Sequence, residues 1–130
     1  MVKIAVKSTK LPIEIGEHTF HVDVTEEGKD RFFKIIEGYA AKTTKSIEKF
    51  QKGTIKAETS DKQCQKALEE VLDELLGAEA FKKLFALTPD HNLISEYYVE
   101  ICGAISEEFN NRGYQSLENL QNRFDAYLKG

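Results

Sequence analysis

Between Ser60 and Phe109 the chain carries two apolar patterns of helical period that meet at Leu87-Thr88-Pro89-Asp90, and this pair constrains the rest of the fold. In the first, Cys64, Ala67, Leu68, Val71, Leu72, Leu75 and Leu76 recur at intervals of three and four, with Glu69, Glu70, Asp73 and Glu74 opposite. In the second, Ile94, Tyr97, Tyr98, Ile101, Ala104, Ile105 and Phe109 repeat the pattern. Burying Val71, Leu72, Leu75 and Leu76 contributes roughly 1.5–3 kcal/mol each. Together they rival the whole net stability of a domain, about 5–15 kcal/mol. The order in these segments is therefore accounted for by packing, which points to a protein that holds another protein rather than one that reacts.

Ahead of the helices the reading is β. Val2, Ile4 and Val6 alternate with polar or small residues, as do Leu11, Ile13 and Ile15, and then Phe20, Val22 and Val24. Gly16-Glu17 reads as a two-residue hairpin turn with glycine at the first position of type II′ geometry. Pro12 lacks a donor, which places its strand at an edge. A lone hairpin is marginal in water, so its apolar face must lie on helices. Thr25 caps a long helix over 25–52, with Glu26 and Glu27 at its positive end. Phe32, Phe33, Ile36, Tyr39, Ala40, Ile47 and Phe50 mark its buried side, Thr43 interrupts the stripe, and Gly38 weakens the middle by about 1 kcal/mol relative to alanine. The helix ends near Gly53.

Ser60-Asp61-Lys62-Gln63 has the form of a capping box opening a second helix that runs to Leu76, with Gly77 as a left-handed stop. A short helix, Ala78 to Ala86, turns Phe81, Leu84 and Phe85 inward. Thr88 as cap and Pro89 as first helical residue restart the chain. The fourth helix runs to about Asn110, and Leu117, Leu120, Phe124, Tyr127 and Leu128 mark a fifth, amphipathic one. There is no internal repeat. The expected fold class is α+β, mostly α: one domain over 1–130, with a β element at 1–24, the long helix at 25–52, a helical core at 60–111 and a C-terminal helix at 114–129.

Composition narrows the function classes. A chain of 130 residues with 41% hydrophobic and 31% charged residues is globular. Its net charge of −4 argues against nucleic acid as the main partner, because phosphate binding needs a basic excess. The charge is uneven: Lys29 to Lys56 holds eight basic and three acidic residues, and Ala57 to Asn110 holds four basic and twelve acidic. One half can attract the other, within the molecule or between copies, so self-association is expected. Cys64 and Cys102 read as small buried hydrophobes of a reducing compartment, without partners for a disulfide or a metal. The amino terminus has no signal-peptide pattern and no run spans a membrane, so a cytoplasmic protein is expected.

Chemistry is hard to find. His18 and His21 are three apart on a strand, so their side chains leave opposite faces, the wrong geometry for a shared metal. His91 reads as an ordinary polar residue of a first helical turn. The Glu69, Glu70, Asp73, Glu74 cluster reads as a solvated face. Phosphate-loop, dinucleotide and nucleophile-elbow motifs are missing from the sequence. No catalytic, cofactor or metal residue is assigned, and a non-enzymatic role is expected. Lys42, Lys45, Lys49, Lys52 and Lys56 recur along one stripe of the first helix. They read either as a solvated face or as a docking stripe for an acidic surface; aromatic residues for base stacking do not interleave with them.

The segment from Ala67 to Phe81, with its "L-x-x-L-L-G-x-x-A-F" pattern, followed by Leu84-Phe85-Ala86-Leu87-Thr88-Pro89-Asp90 and an apolar helix, resembles the small tail assembly chaperones of long-tailed phages and prophages of Gram-positive bacteria. Leu11 to Gly16 with Phe20 to Val24 looks like the short hairpin that opens such proteins. The resemblance spans most of Leu11 to Phe109, and its motifs are packing motifs. It implies a non-catalytic protein of the host cytoplasm that coats the helical tape measure protein before tail tube subunits polymerise around it. The competing expectation is a small regulatory or DNA-associated protein acting as an adaptor. Helix-in-groove recognition is expected, with Phe33, Tyr98, Phe124, Tyr127 and Leu128 as apolar contacts and Lys42, Lys45, Lys49 and Lys52 beside them. Tyr97 and Tyr98 lie about 100° apart on a helix, so unequal burial is expected, and Tyr98→Ser should leave the melting temperature nearly unchanged.

Overall fold

The computed structural model describes residues 1–114. In order these form β1 (Lys10–Ile15), β2 (His18–Asp23), α1 (Glu26–Gln51), α2 (Ala57–Leu76), α3 (Ala80–Leu87) and α4 (His91–Asn111). A two-stranded antiparallel sheet is followed by four helices, with 66% of the described residues helical, the α+β, mostly α class expected. The fifth helix, and with it Phe124, Tyr127 and Leu128, lies outside the described residues.

The hairpin register pairs Leu11 with Val22, Ile13 with Phe20 and Ile15 with His18. The Val24 amide donates to the Thr9 carbonyl at 2.9 Å. By antiparallel alternation, Thr9, Leu11, Ile13 and Ile15 therefore aim their backbone groups at β2, while Lys10, Pro12 and Glu14 aim theirs at the open edge. Pro12 thus sits where no donor is missed. Gly16 takes φ 61° and Glu17 stays at negative φ, the asymmetry that a II′ turn requires. Phe20, Val22 and Val24 are buried, and β2 packs on α1 and α2 while β1 packs on α4.

The expected strand at Val2, Ile4 and Val6 does not form; these side chains are 88%, 87% and 99% exposed. Alternation alone does not make a strand without an edge to pair with. The Ser8 hydroxyl occupies both the amide (3.1 Å) and the carbonyl (3.0 Å) of Lys10, and Pro12 has no N–H, so the open edge of β1 offers little.

Thr25 caps α1 as expected, its Oγ1 accepting from the Gly28 amide at 3.1 Å. The Asp23 carboxylate accepts from the Thr25 amide (3.0 Å) and hydroxyl (2.8 Å), tying the hairpin exit to the helix. These bonds, the amide first, hold its carboxyl below the usual range. A Cβ on Gly28 would lie 2.3 Å from the Asp23 carbonyl oxygen, so only glycine fits this corner.

Three helix boundaries differ from the expectations. First, α2 begins at Ala57, a turn earlier, and Ser60 is a buried residue inside it. Its hydroxyl donates to the Ser46 hydroxyl (2.9 Å), which donates to Gln63 Oε1 (2.8 Å). The buried Ser46 must be satisfied, and it takes the pair that would have formed the capping box. Second, Gly77 has φ 110° and ψ 164°, extended rather than left-handed helical, and Glu79 takes the left-handed position at φ 65°, ψ 10°. Third, Asp90 caps α4, its Oδ1 accepting from Asn92 (2.8 Å) and Leu93 (3.2 Å) amides. Thr88 instead ends α3, and its hydroxyl bonds the Tyr97 hydroxyl at 3.0 Å. Pro89 holds the residue before it extended, and the carboxylate two residues on makes the cap.

Leu72, Leu84, Ile94, Ile105 and Val24 are enclosed at the centre. Cys64 and Cys102 are half-buried rather than fully buried, and Ala104 is exposed. The larger correction concerns α1. Its buried residues are Gly28, Phe32 and Ser46, whereas Phe33, Ala40, Ile47 and Phe50 face outward. The apolar stripe is wider than one neighbour can cover, and α2 takes the flank that carries Ile35, Ser46 and Lys42.

Candidate interaction surfaces

The lysine row of α1 acquires its geometry from α2. Lys42, Lys45 and Lys49 line a groove of about 320 Å³ between the two helices, with Lys66 of α2 on its other wall and Ala67 among its lining residues. Lys42 donates to Glu70 Oε2 at 3.2 Å, with both side chains about half exposed, so the basic and acidic segments meet within the molecule. At such exposure the pair is worth about 0–1 kcal/mol. Lys45 and Lys49 are exposed. Lys52 is the C-cap of α1, beyond the groove. Lys66 escaped the sequence reading because it stands on another helix; its place one turn before Glu70 was the available signal.

Phe33 does not join this groove. It is 40% exposed, sits edge-on to Phe32 at 5.3 Å, and is nine residues from Lys42, about half a turn round the helix. Tyr98 is not a free surface residue. Its ring lies 4.9 Å from Tyr39, and Tyr97 and Tyr98 are both half-buried, not unequally buried. Burial, with Cys102 beside it, pushes the Tyr98 hydroxyl far above its ordinary range, and burial raises the Cys102 thiol as well. These groups stay protonated near neutrality, and truncating Tyr98 removes packing. Thermal neutrality for Tyr98→Ser is therefore not the outcome this packing supports.

The acidic cluster is not merely a solvated face. Asp73 Oδ1 accepts from the Phe81 amide at 2.8 Å, which caps α3 from the preceding helix, and Glu70 holds Lys42. Glu69 Oε2 lies 3.9 Å from His91 Nε2. His91 stacks on Phe81 (5.4 Å) and Phe85 (5.3 Å), and its Nε2 is buried with no hydrogen-bond partner. It borders a cavity of about 330 Å³ that also holds Tyr39, Asp61, Cys64 and Ser95. The Ser95 hydroxyl donates to the Asn92 carbonyl at 2.6 Å, so no nucleophile and base are coupled there. Among the described residues no three His, Cys, Asp or Glu side chains are arranged to hold a metal, and no helix is long and apolar enough to cross a membrane.

No protein-family model, curated protein or solved structure matches this chain.

Proposed function

We propose that this protein is a non-catalytic tail assembly chaperone whose partner is a helix of the tape measure protein. The observation that carries the reading is the lysine-lined groove between α1 and α2, a shallow trough with an apolar floor and basic walls. An amphipathic partner helix lays its apolar stripe along such a trough, and its acidic flank meets Lys45, Lys49 and Lys66. The resemblance of the Ala67 to Asp90 segment supplies the identity of the partner class. The core positions of that segment, Leu68, Val71, Leu72, Leu75, Leu76, Ala80 and Leu84, are buried, which leaves the role of contact to the surface.

Co-purification of the full chain with the tape measure protein tests the proposal. The double variant Lys45→Glu, Lys49→Glu should weaken capture at least about tenfold, while its melting temperature stays near that of the parent because both side chains are exposed. Undiminished capture by this variant would overturn the groove assignment. Duplex DNA binding that falls steeply with salt, in place of tape measure binding, would favour the regulatory reading.

A further inference from the structure

Six residues of α1 form a second stripe that nothing among the described residues covers: Phe33, Ile36, Ala40, Thr43, Ile47 and Phe50. Their spacing of three and four is the seam pattern of paired helices, and it lies away from the lysine groove. Phe33 is 40% exposed, and Ile47 and Phe50 are 45% exposed. The Thr43 hydroxyl turns back to the Tyr39 and Ala40 carbonyls, both at 3.1 Å, so it needs no outside polar partner and leaves its methyl group free to pack.

The order of the stripe is a mirror. Read from either end it runs aromatic, isoleucine, small, small, isoleucine, aromatic. A two-fold axis requires that a surface complement itself, residue i meeting j and j meeting i. Two antiparallel copies of α1 satisfy this with Phe33 against Phe50, Ile36 against Ile47 and Ala40 against Thr43. The small central pair lets the helix axes approach to roughly 8–10 Å.

Charge selects the same orientation. Residues 26–38 carry four acidic and three basic side chains, and residues 39–51 carry one acidic and three basic. Antiparallel pairing sets the acidic half against the basic one, whereas parallel pairing sets basic against basic. We infer that the stripe is the interface for a second copy of this chain, joined through α1 about a two-fold axis. The inference does not depend on the partner proposed above and is tested without it. The stripe is roughly 26 Å long on a helix about 10 Å wide. This is less than the roughly 800 Å² per partner of a standard interface, so the dimer exchanges in the micromolar range.

Sedimentation equilibrium of the full chain at low micromolar to submillimolar concentration should show a monomer–dimer equilibrium. Ile47→Glu should weaken dimerisation at least about tenfold with little change in melting temperature, since Ile47 is exposed in the single copy. Phe50→Glu should do the same. Chains carrying Ala40→Cys and Thr43→Cys, mixed and oxidised, should cross-link to each other in preference to themselves, against the parent chain as background for Cys64 and Cys102. A monomer throughout the range, or a dimer indifferent to both glutamates, would overturn the inference. So would preferential cross-linking of Ala40→Cys to itself, the signature of parallel pairing. Dimerisation confined to a chain ending at Tyr114 would assign the stripe to the carboxy-terminal segment instead of a second copy.

Discussion

Gly28 and Gly38 lie on the same helix and have opposite consequences. A Cβ at Gly28 would run into the Asp23 carbonyl oxygen at 2.3 Å, where the hairpin hands the chain to α1, whereas a Cβ at Gly38 would meet nothing within 4 Å. Gly28→Ala should destabilise by roughly 1–3 kcal/mol, the usual range for forced overlap. Gly38→Ala should stabilise by about 1 kcal/mol, the helix-propensity difference. Urea unfolding of the two variants checks both signs. The Gly38 weakness was legible in the sequence because propensity is local. The Gly28 requirement was not, since it arises from a backbone atom that only the turn into α1 brings close. His91 was misread for a similar reason: its surroundings are Phe81 and Phe85, residues of another helix.

At the scale of elements, the caps divide into those made by neighbours in sequence and those made across the fold. Thr25 was readable because its bond reaches Gly28, three residues on. The N-terminus of α3 follows a left-handed Glu79 and has no side-chain cap from its own start; Asp73 of α2 supplies the acceptor for the Phe81 amide. Asp73→Ala should therefore cost about 1–2 kcal/mol, as the loss of a carboxylate cap does. Hydrogen exchange should show the loss first at the amides of Phe81 and Lys82, ahead of those in α2. Ser60 illustrates the converse. Its motif is sound as a local signal, and the buried Ser46 hydroxyl outcompetes it.

For the molecule as a whole, the core joins the hairpin to the helices through Leu72, which is fully enclosed. Leu72→Ala should cost about 2–5 kcal/mol. Helix ellipticity and near-ultraviolet tyrosine signals should still be lost in one coincident transition, because the sheet has no stability apart from the helices. By itself the sequence determined the class, the hairpin with its Gly16 turn, the extent of α1 and the buried faces of α2 and α4. All of these follow from periodicity and local steric rules that act within a few residues. Only the tertiary structure decided which flank of α1 is covered. An apolar stripe records that a surface avoids water, and it does not record how many neighbours are there to cover it. For the same reason Val2, Ile4 and Val6 alternate like a strand and remain unpaired: pairing depends on the backbone groups a neighbouring edge leaves free, and Ser8 and Pro12 had already closed that edge.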